Sequence, residues 1–103
     1  MPEFIIAYRG GKKPETPEEG AKQFQRWKVW LEDLGEAVVN PGTPLGPMKT
    51  VSGSDVTDNT DEERLTGFSI VRAEDLDEAI EMAKKCPFLE MGSLDVAQVM
   101  QLP

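Results

Sequence analysis

The chain contains no histidine and a single cysteine, Cys86. The missing histidine removes every Ser/His and Cys/His nucleophile pair. It also removes the commonest transition-metal ligand, and a lone thiol cannot build a thiolate zinc site, so no metal is expected. Acid–base work near neutrality then falls to Asp, Glu, Lys, Tyr or Cys with a displaced pKa. One cysteine cannot form an internal disulfide. No apolar run approaches the roughly 18 residues of a membrane span. The start, Met1-Pro2-Glu3-Phe4, lacks the basic region of a signal peptide, and a cytoplasmic location is the expectation. Basic residues are also in short supply, 11 against 19 acidic, for a net charge of −8. That balance opposes binding to nucleic acid or to an anionic membrane, because phosphates need a basic patch.

What is present is enough for one domain over residues 1–103. Glu3 to Arg9 reads as a strand, with Phe4, Ile6 and Tyr8 on one face and Ile5 and Ala7 on the other. After the breakers Gly10, Gly11 and Pro14, Thr16-Pro17-Glu18-Glu19 opens a helix with a cap, a proline in the first turn and a capping box. The helix runs to about Leu34, with Gly35 as its left-handed stop. Phe24, Trp27, Leu31 and Leu34 form its apolar stripe, Gly20 shares it, and Trp30 lies at its edge. The stripe is the expected core, with Phe24, Trp27 and Trp30 as alternative pocket walls.

Glu36 to Asn40 is a short strand, the segment from Pro41 to Pro47 a stiff loop, and Met48 to Ser52 another short strand. Gly53 to Thr66 is acidic and without periodicity, which reads as a mobile connection. Gly67 to Val71 is a strand, Asp75 caps a helix carrying Leu76, Ala79, Ile80 and Ala83 on its inner face, and Cys86-Pro87 ends it. A last strand spans Leu94 to Leu102. The order β-α-β-β-β-α-β implies a ferredoxin-like α+β sandwich, an antiparallel sheet with two helices on one face. Val96 with Met100 and Ala97 with Val99 occupy opposite faces of that last strand. Two apolar faces on a sheet covered once call for a partner, and a second copy is the simplest one, giving a homodimer through sheet faces.

The run GFSIVRAEDLDEAIEMAKKCPFLEMGSLDVAQVMQL resembles the C-terminal half of the YCII-related family, which includes proteins marked by an Asp-Gly-Pro-Phe segment. Asn40 to Pro47 resembles the loop after that family's second strand. The resemblance implies a ferredoxin-like fold dimerising through its sheets as a dimeric α/β barrel. It also implies relatives acting as isomerases or dehydrochlorinases on small aromatic-derived acids. A His–Asp pair is the suggested active site of one branch. This chain has no histidine, and it has Asp58-Asn59-Thr60-Asp61 in place of the Asp-Gly-Pro-Phe segment.

No catalytic residue is assigned from the sequence, and no cofactor is expected. Cys86 ends a helix, where the dipole disfavours a thiolate, and reads as a small buried residue. The acidic residues from Asp55 to Glu63 lack Ca²⁺-loop spacing. Gly10-Gly11-Lys12-Lys13 lacks a phosphate-loop pattern. Tyr8, Arg9, Trp30, Asn40 and Lys49 are the candidate ligand-binding residues. Four of them sit near strand ends beside the stiff loop, where a small organic acid can be held. The expected site lies between the first helix, the 41–47 loop and the sheet. The alternative is a non-catalytic regulatory or protein-interaction module, since this fold hosts many roles.

Overall fold

The computed structural model describes residues 1–102. Alternation of apolar residues places Phe4, Ile6 and Tyr8 of strand β1 (Glu3–Gly10) on the buried face. Thr16 then caps helix α1 (Pro17–Leu34): its Oγ1 accepts the Glu19 N–H at 3.1 Å. The Glu19 carboxylate accepts the Glu15 N–H at 3.0 Å, so two otherwise unpaired donors are satisfied at once. Helix α2 (Leu76–Lys84) starts in the same way, with Asp75 accepting from Glu78 N–H at 2.9 Å and Glu78 accepting from Glu74 N–H at 3.2 Å.

The remaining strands are β2 (Val38–Pro44), β3 (Lys49–Ser52), β4 (Asp55–Asp58), β5 (Leu65–Arg72) and β6 (Gly92–Gln98). The main sheet has the order β2-β5-β1-β6 with antiparallel neighbours throughout. Each strand–helix–strand unit therefore straddles a strand of the other, the ferredoxin-like interleaving. Both helices contribute to one core. Ala79 and Ala83 of α2 and Trp30 of α1 pack with Phe4, Ile6, Tyr8 and Val71. The small alanines bring α2 close to the sheet. Trp30 fixes α1 to α2 by donating its Nε1–H to the Met82 carbonyl at 3.0 Å.

The structure corrects the implied barrel. The sheet is open and four-stranded, with β2 and β6 as its two edges and no pairing between them. Barrel closure needs many more strands, with a consistent tilt and stagger. Here the β2 edge is also interrupted by two register shifts and two prolines.

Three boundaries differ from expectation. The segment expected as a stiff loop is still strand as far as Pro44, because the shifts let β2 follow β5 despite its prolines. The acidic segment contains β4, which forms a separate two-stranded hairpin with β3. Of its four facing pairs, Val51 with Val56 is the one apolar pair, and both are exposed, so the hairpin leaves no periodic apolar signal. The last strand stops at Gln98, after which Val99 makes one further backbone bond, to the Glu3 carbonyl at 2.8 Å. Leu76, expected inward, is exposed.

Gly42 decides the shape of β2. Its φ is +77°, and a Cβ there would collide with the Phe68 carbonyl oxygen. Asn40 Oδ1 accepts the Gly42 N–H at 2.8 Å and holds the bulge from the other side. Gly42→Ala is expected to destabilise the fold by more than about 1–3 kcal/mol, since a left-handed non-glycine costs that much before the clash with Phe68 is counted. Urea unfolding checks this as a lower midpoint at an unchanged slope.

Candidate functional site

A pocket of about 340 Å³ opens on the helix side of the sheet. Its walls come from α1 (Gly20, Gln23, Phe24, Arg26, Trp27), the end of β2 (Thr43, Pro44) and the short 3-10 helix Pro87–Glu90. Tyr8 and Thr66 supply the sheet side, and Pro14 and Met91 complete the lining. A volume of this size sits at the small end of the roughly 300–1,000 Å³ range of ligand sites.

Tyr8 is seated by its neighbours. Gly67 lies opposite it on β5, and a Cβ on Gly67 would come within 2.9 Å of the Tyr8 ring. Phe88 packs against the same ring at a centroid distance of 5.2 Å. The Tyr8 hydroxyl lies 2.5 Å from Ser69 Oγ and accepts the Trp27 Nε1–H at 3.0 Å. Ser69 Oγ donates in turn to the Pro41 carbonyl at 2.7 Å. Ser69 is completely buried, and the chain Trp27–Tyr8–Ser69–Pro41 leaves none of these polar atoms without a partner. Burial raises the Tyr8 pKa, opposed by the hydrogen bonds with Ser69 and Trp27. The phenol therefore keeps its proton at neutral pH.

Among the described residues, one cation and one carboxylate line the pocket, and they meet. Arg26 and Glu90 form an ion pair at 2.6 Å between α1 and the 3-10 helix. The hydrogen bond with Arg26 lowers the Glu90 pKa, and the one with Glu90 raises that of Arg26. Both groups are well exposed, so solvent screening keeps the pair weak as a stabilising contact.

Of the residues singled out from the sequence, Tyr8 lines this pocket and the other four do not. Arg9 is next to Tyr8 on the strand and so points to the opposite sheet face. There it pairs with Asp95 at 3.1 Å and donates from Nε to the Glu63 carbonyl at 3.1 Å. Trp30 is buried between the helices. Asn40 holds the β2 bulge, which carries the Pro41 carbonyl bound by Ser69. Lys49 pairs with Asp58 across the hairpin at 3.0 Å.

Phe24, expected in the core, is 55% exposed at the pocket wall, and Trp27 is half-buried beside it. Their ring centroids are 5.8 Å apart. The cause is that Trp30, not Phe24, anchors α1, leaving the first half of that helix to form a wall. Gly20 makes its close approach to Pro14, whose Cγ would lie 3.2 Å from an added Cβ, rather than to the sheet. Sequence reasoning does not find Arg26 and Glu90. Arg26 lies beside the visible stripe of α1, but its partner comes from a segment 64 positions away, a pairing that helical periodicity does not show.

Residues 4–103 match the YCII-related domain. The chain belongs to the YCII-related family. Among solved structures, this YCII-related chain is similar to the 5-chloro-2-hydroxyhydroquinone dehydrochlorinase TftG of Burkholderia phenoliruptrix AC1100, determined in complex with 2,5-dihydroxybenzoquinone. The two share 20% identity over 95% of this chain and 93% of the other, with a TM-score of 0.56. At that identity the likeness is one of fold. No curated protein matches the chain. Among the described residues no helix is long and apolar enough to cross a membrane, and no cluster of acidic or cysteine side chains is arranged to hold a metal.

Cys86 is buried, and desolvation pushes its pKa up to about 11 from 9.0. A group whose pKa rises on folding supports the fold fully below its unfolded value and loses that support as pH climbs to the folded one. Stability is therefore expected to fall between pH 9 and about 11. In Cys86→Ala the loss over this window shrinks to the part due to Tyr8, which shifts in the same direction. Denaturation midpoints across the alkaline range, compared between the two proteins, test it.

Proposed function

We propose that this YCII-related protein binds a small, flat organic acid in the pocket between α1, the end of β2 and the sheet. The observation that carries this reading is the lining itself. Aromatic and aliphatic walls from Phe24, Trp27, Pro44, Phe88 and Met91 surround a few polar groups, of which Arg26 is the sole cation among the described residues. Such walls suit a ring, and a single guanidinium suits a carboxylate or phenolate. The similar dehydrochlorinase fold, solved with a quinone ring, supports a flat ligand; fold alone does not transfer its reaction.

The chemistry available to a bound acid is limited. The hydroxyl chain from Tyr8 ends on a backbone carbonyl, which has no proton to pass on and does not hold one at neutral pH. It orients Tyr8 and Trp27 and does not conduct protons away. An enzyme-like role would thus rest on positioning and on the Tyr8 phenol rather than on a proton wire.

Thermal denaturation with a panel of small carboxylic and phenolic acids tests this. A ligand at a hundredfold excess over its Kd adds about 2.7 kcal/mol, a readily measured rise in Tm. A panel in which no acid shifts Tm at millimolar concentration would count against the pocket as a ligand site.

The open sheet face supports a second part of the proposal, assembly as a homodimer. Ile5, Ala7, Phe68 and Ile70 lie side by side there, with Ile5 opposite Ile70 and Ala7 opposite Phe68. Arg9 and Asp95 border them. Two copies stacking these faces as flat open sheets would bury the patch. Sedimentation is expected to give a dimer at micromolar concentration and a monomer for Ile70→Lys. A monomeric parent protein would remove the proposal.

A further inference from the structure

Counting protons along the Trp27–Tyr8–Ser69–Pro41 chain fixes what the inner end of the pocket offers. A carbonyl only accepts, so the single Ser69 hydroxyl proton is spent on Pro41. Ser69 must then accept from Tyr8 across their 2.5 Å contact. The Tyr8 proton is spent in turn, and its oxygen already accepts from Trp27 Nε1–H. What Tyr8 has left for a ligand is acceptor capacity alone. The Thr66 hydroxyl is likewise committed, reaching the Gly10 carbonyl at 3.0 Å and the Tyr8 carbonyl at 3.3 Å.

Arg26 is the reverse case. A guanidinium has five N–H donors and no acceptor, and among the described residues Arg26 makes only its contact with Glu90 Oε1. The pocket therefore has an acceptor at Tyr8 and a charged donor at Arg26. The Gln23 amide carries both kinds of group and does not discriminate.

We infer that the pocket selects hydroxylated aromatic carboxylates, bound with the ring hydroxyl donating to Tyr8 Oη and the carboxylate on Arg26, and that Glu90 is the built-in competitor for that carboxylate. This rests on the pocket being a small-molecule site. Glu90 neutralises Arg26 in the free protein and so opposes the approach of a second carboxylate to the remaining guanidinium donors. Glu90 thereby weakens binding of every acid while leaving neutral rings unaffected.

Calorimetric titration of the full chain with four probes tests it: para-hydroxybenzoate, meta-hydroxybenzoate, benzoate and para-hydroxybenzamide. At least one hydroxybenzoate is expected to bind about tenfold tighter than benzoate and about tenfold tighter than the amide, the scale of one good hydrogen bond to a charged or buried group. Arg26→Gln is expected to erase the acid-over-amide preference. Glu90→Gln tightens the acids several-fold and leaves the amide unchanged. Tyr8→Phe erases the hydroxyl preference, and the probe comparison on the unaltered protein gives the same information should that variant fold poorly. Equal affinity for benzoate and both hydroxybenzoates overturns the inference, as does an acid preference that survives Arg26→Gln. Equal binding of all four probes refutes the selectivity and spares the pocket. Binding of none refutes both.

Discussion

A single line of hydrogen bonds crosses four elements of this fold. It starts at Trp27 on α1, passes through Tyr8 on β1 and Ser69 on β5, and ends at the Pro41 carbonyl on β2. Backbone ladders fix β1, β5 and β2 to one another, but α1 meets this sheet mainly through apolar contacts, which tolerate sliding. This line does not, because each hydroxyl has one proton and each partner must be in place to use it. The β2 bulge exists in a form that turns the Pro41 carbonyl toward Ser69, with Asn40 and Gly42 shaping it. The same line sets the indole and the phenol at the pocket. Structure and site thus share their most specific interaction.

Much of the frame is legible in the sequence, and for local reasons. Both capping boxes, the alternating strand β1 and the left-handed stop at Gly35 depend on residues within a few positions of each other. The general place of the pocket follows from the same frame. Its chemistry does not. Tyr8 and Arg9 read as neighbours able to serve one ligand, yet a regular strand sends adjacent side chains to opposite faces, and their proximity along the chain is what separates them in space. Asn40 and Lys49 stand out for their polarity, but one shapes a bulge and the other an ion pair in a hairpin. Arg26–Glu90 depends on long-range packing, and β4 is hidden because its hairpin buries nothing.

The barrel expectation comes from family resemblance rather than from residues, and the sheet itself corrects it. Membership in the YCII-related family and likeness to a dehydrochlorinase fold are compatible with an open sheet and with a site lacking histidine. The fold supplies a cleft between helix and sheet. The side chains lining that cleft include a buried phenol whose proton is already used and a guanidinium paired with a carboxylate.

The two edges of the sheet differ in kind. Along β2, Pro41 and Pro44 lack N–H groups and the bulge bends the strand, so a further strand cannot zip onto it. Along β6 no proline intervenes, and its backbone from Gly92 to Gln98 is regular. Within the main sheet, strand addition between copies is therefore open at the β6 edge. Two chains joined β6 to β6 would leave the blunt β2 strands as the free edges of the extended main sheet. The prolines that bend β2 around the site thus also blunt that edge of the main sheet against strand addition.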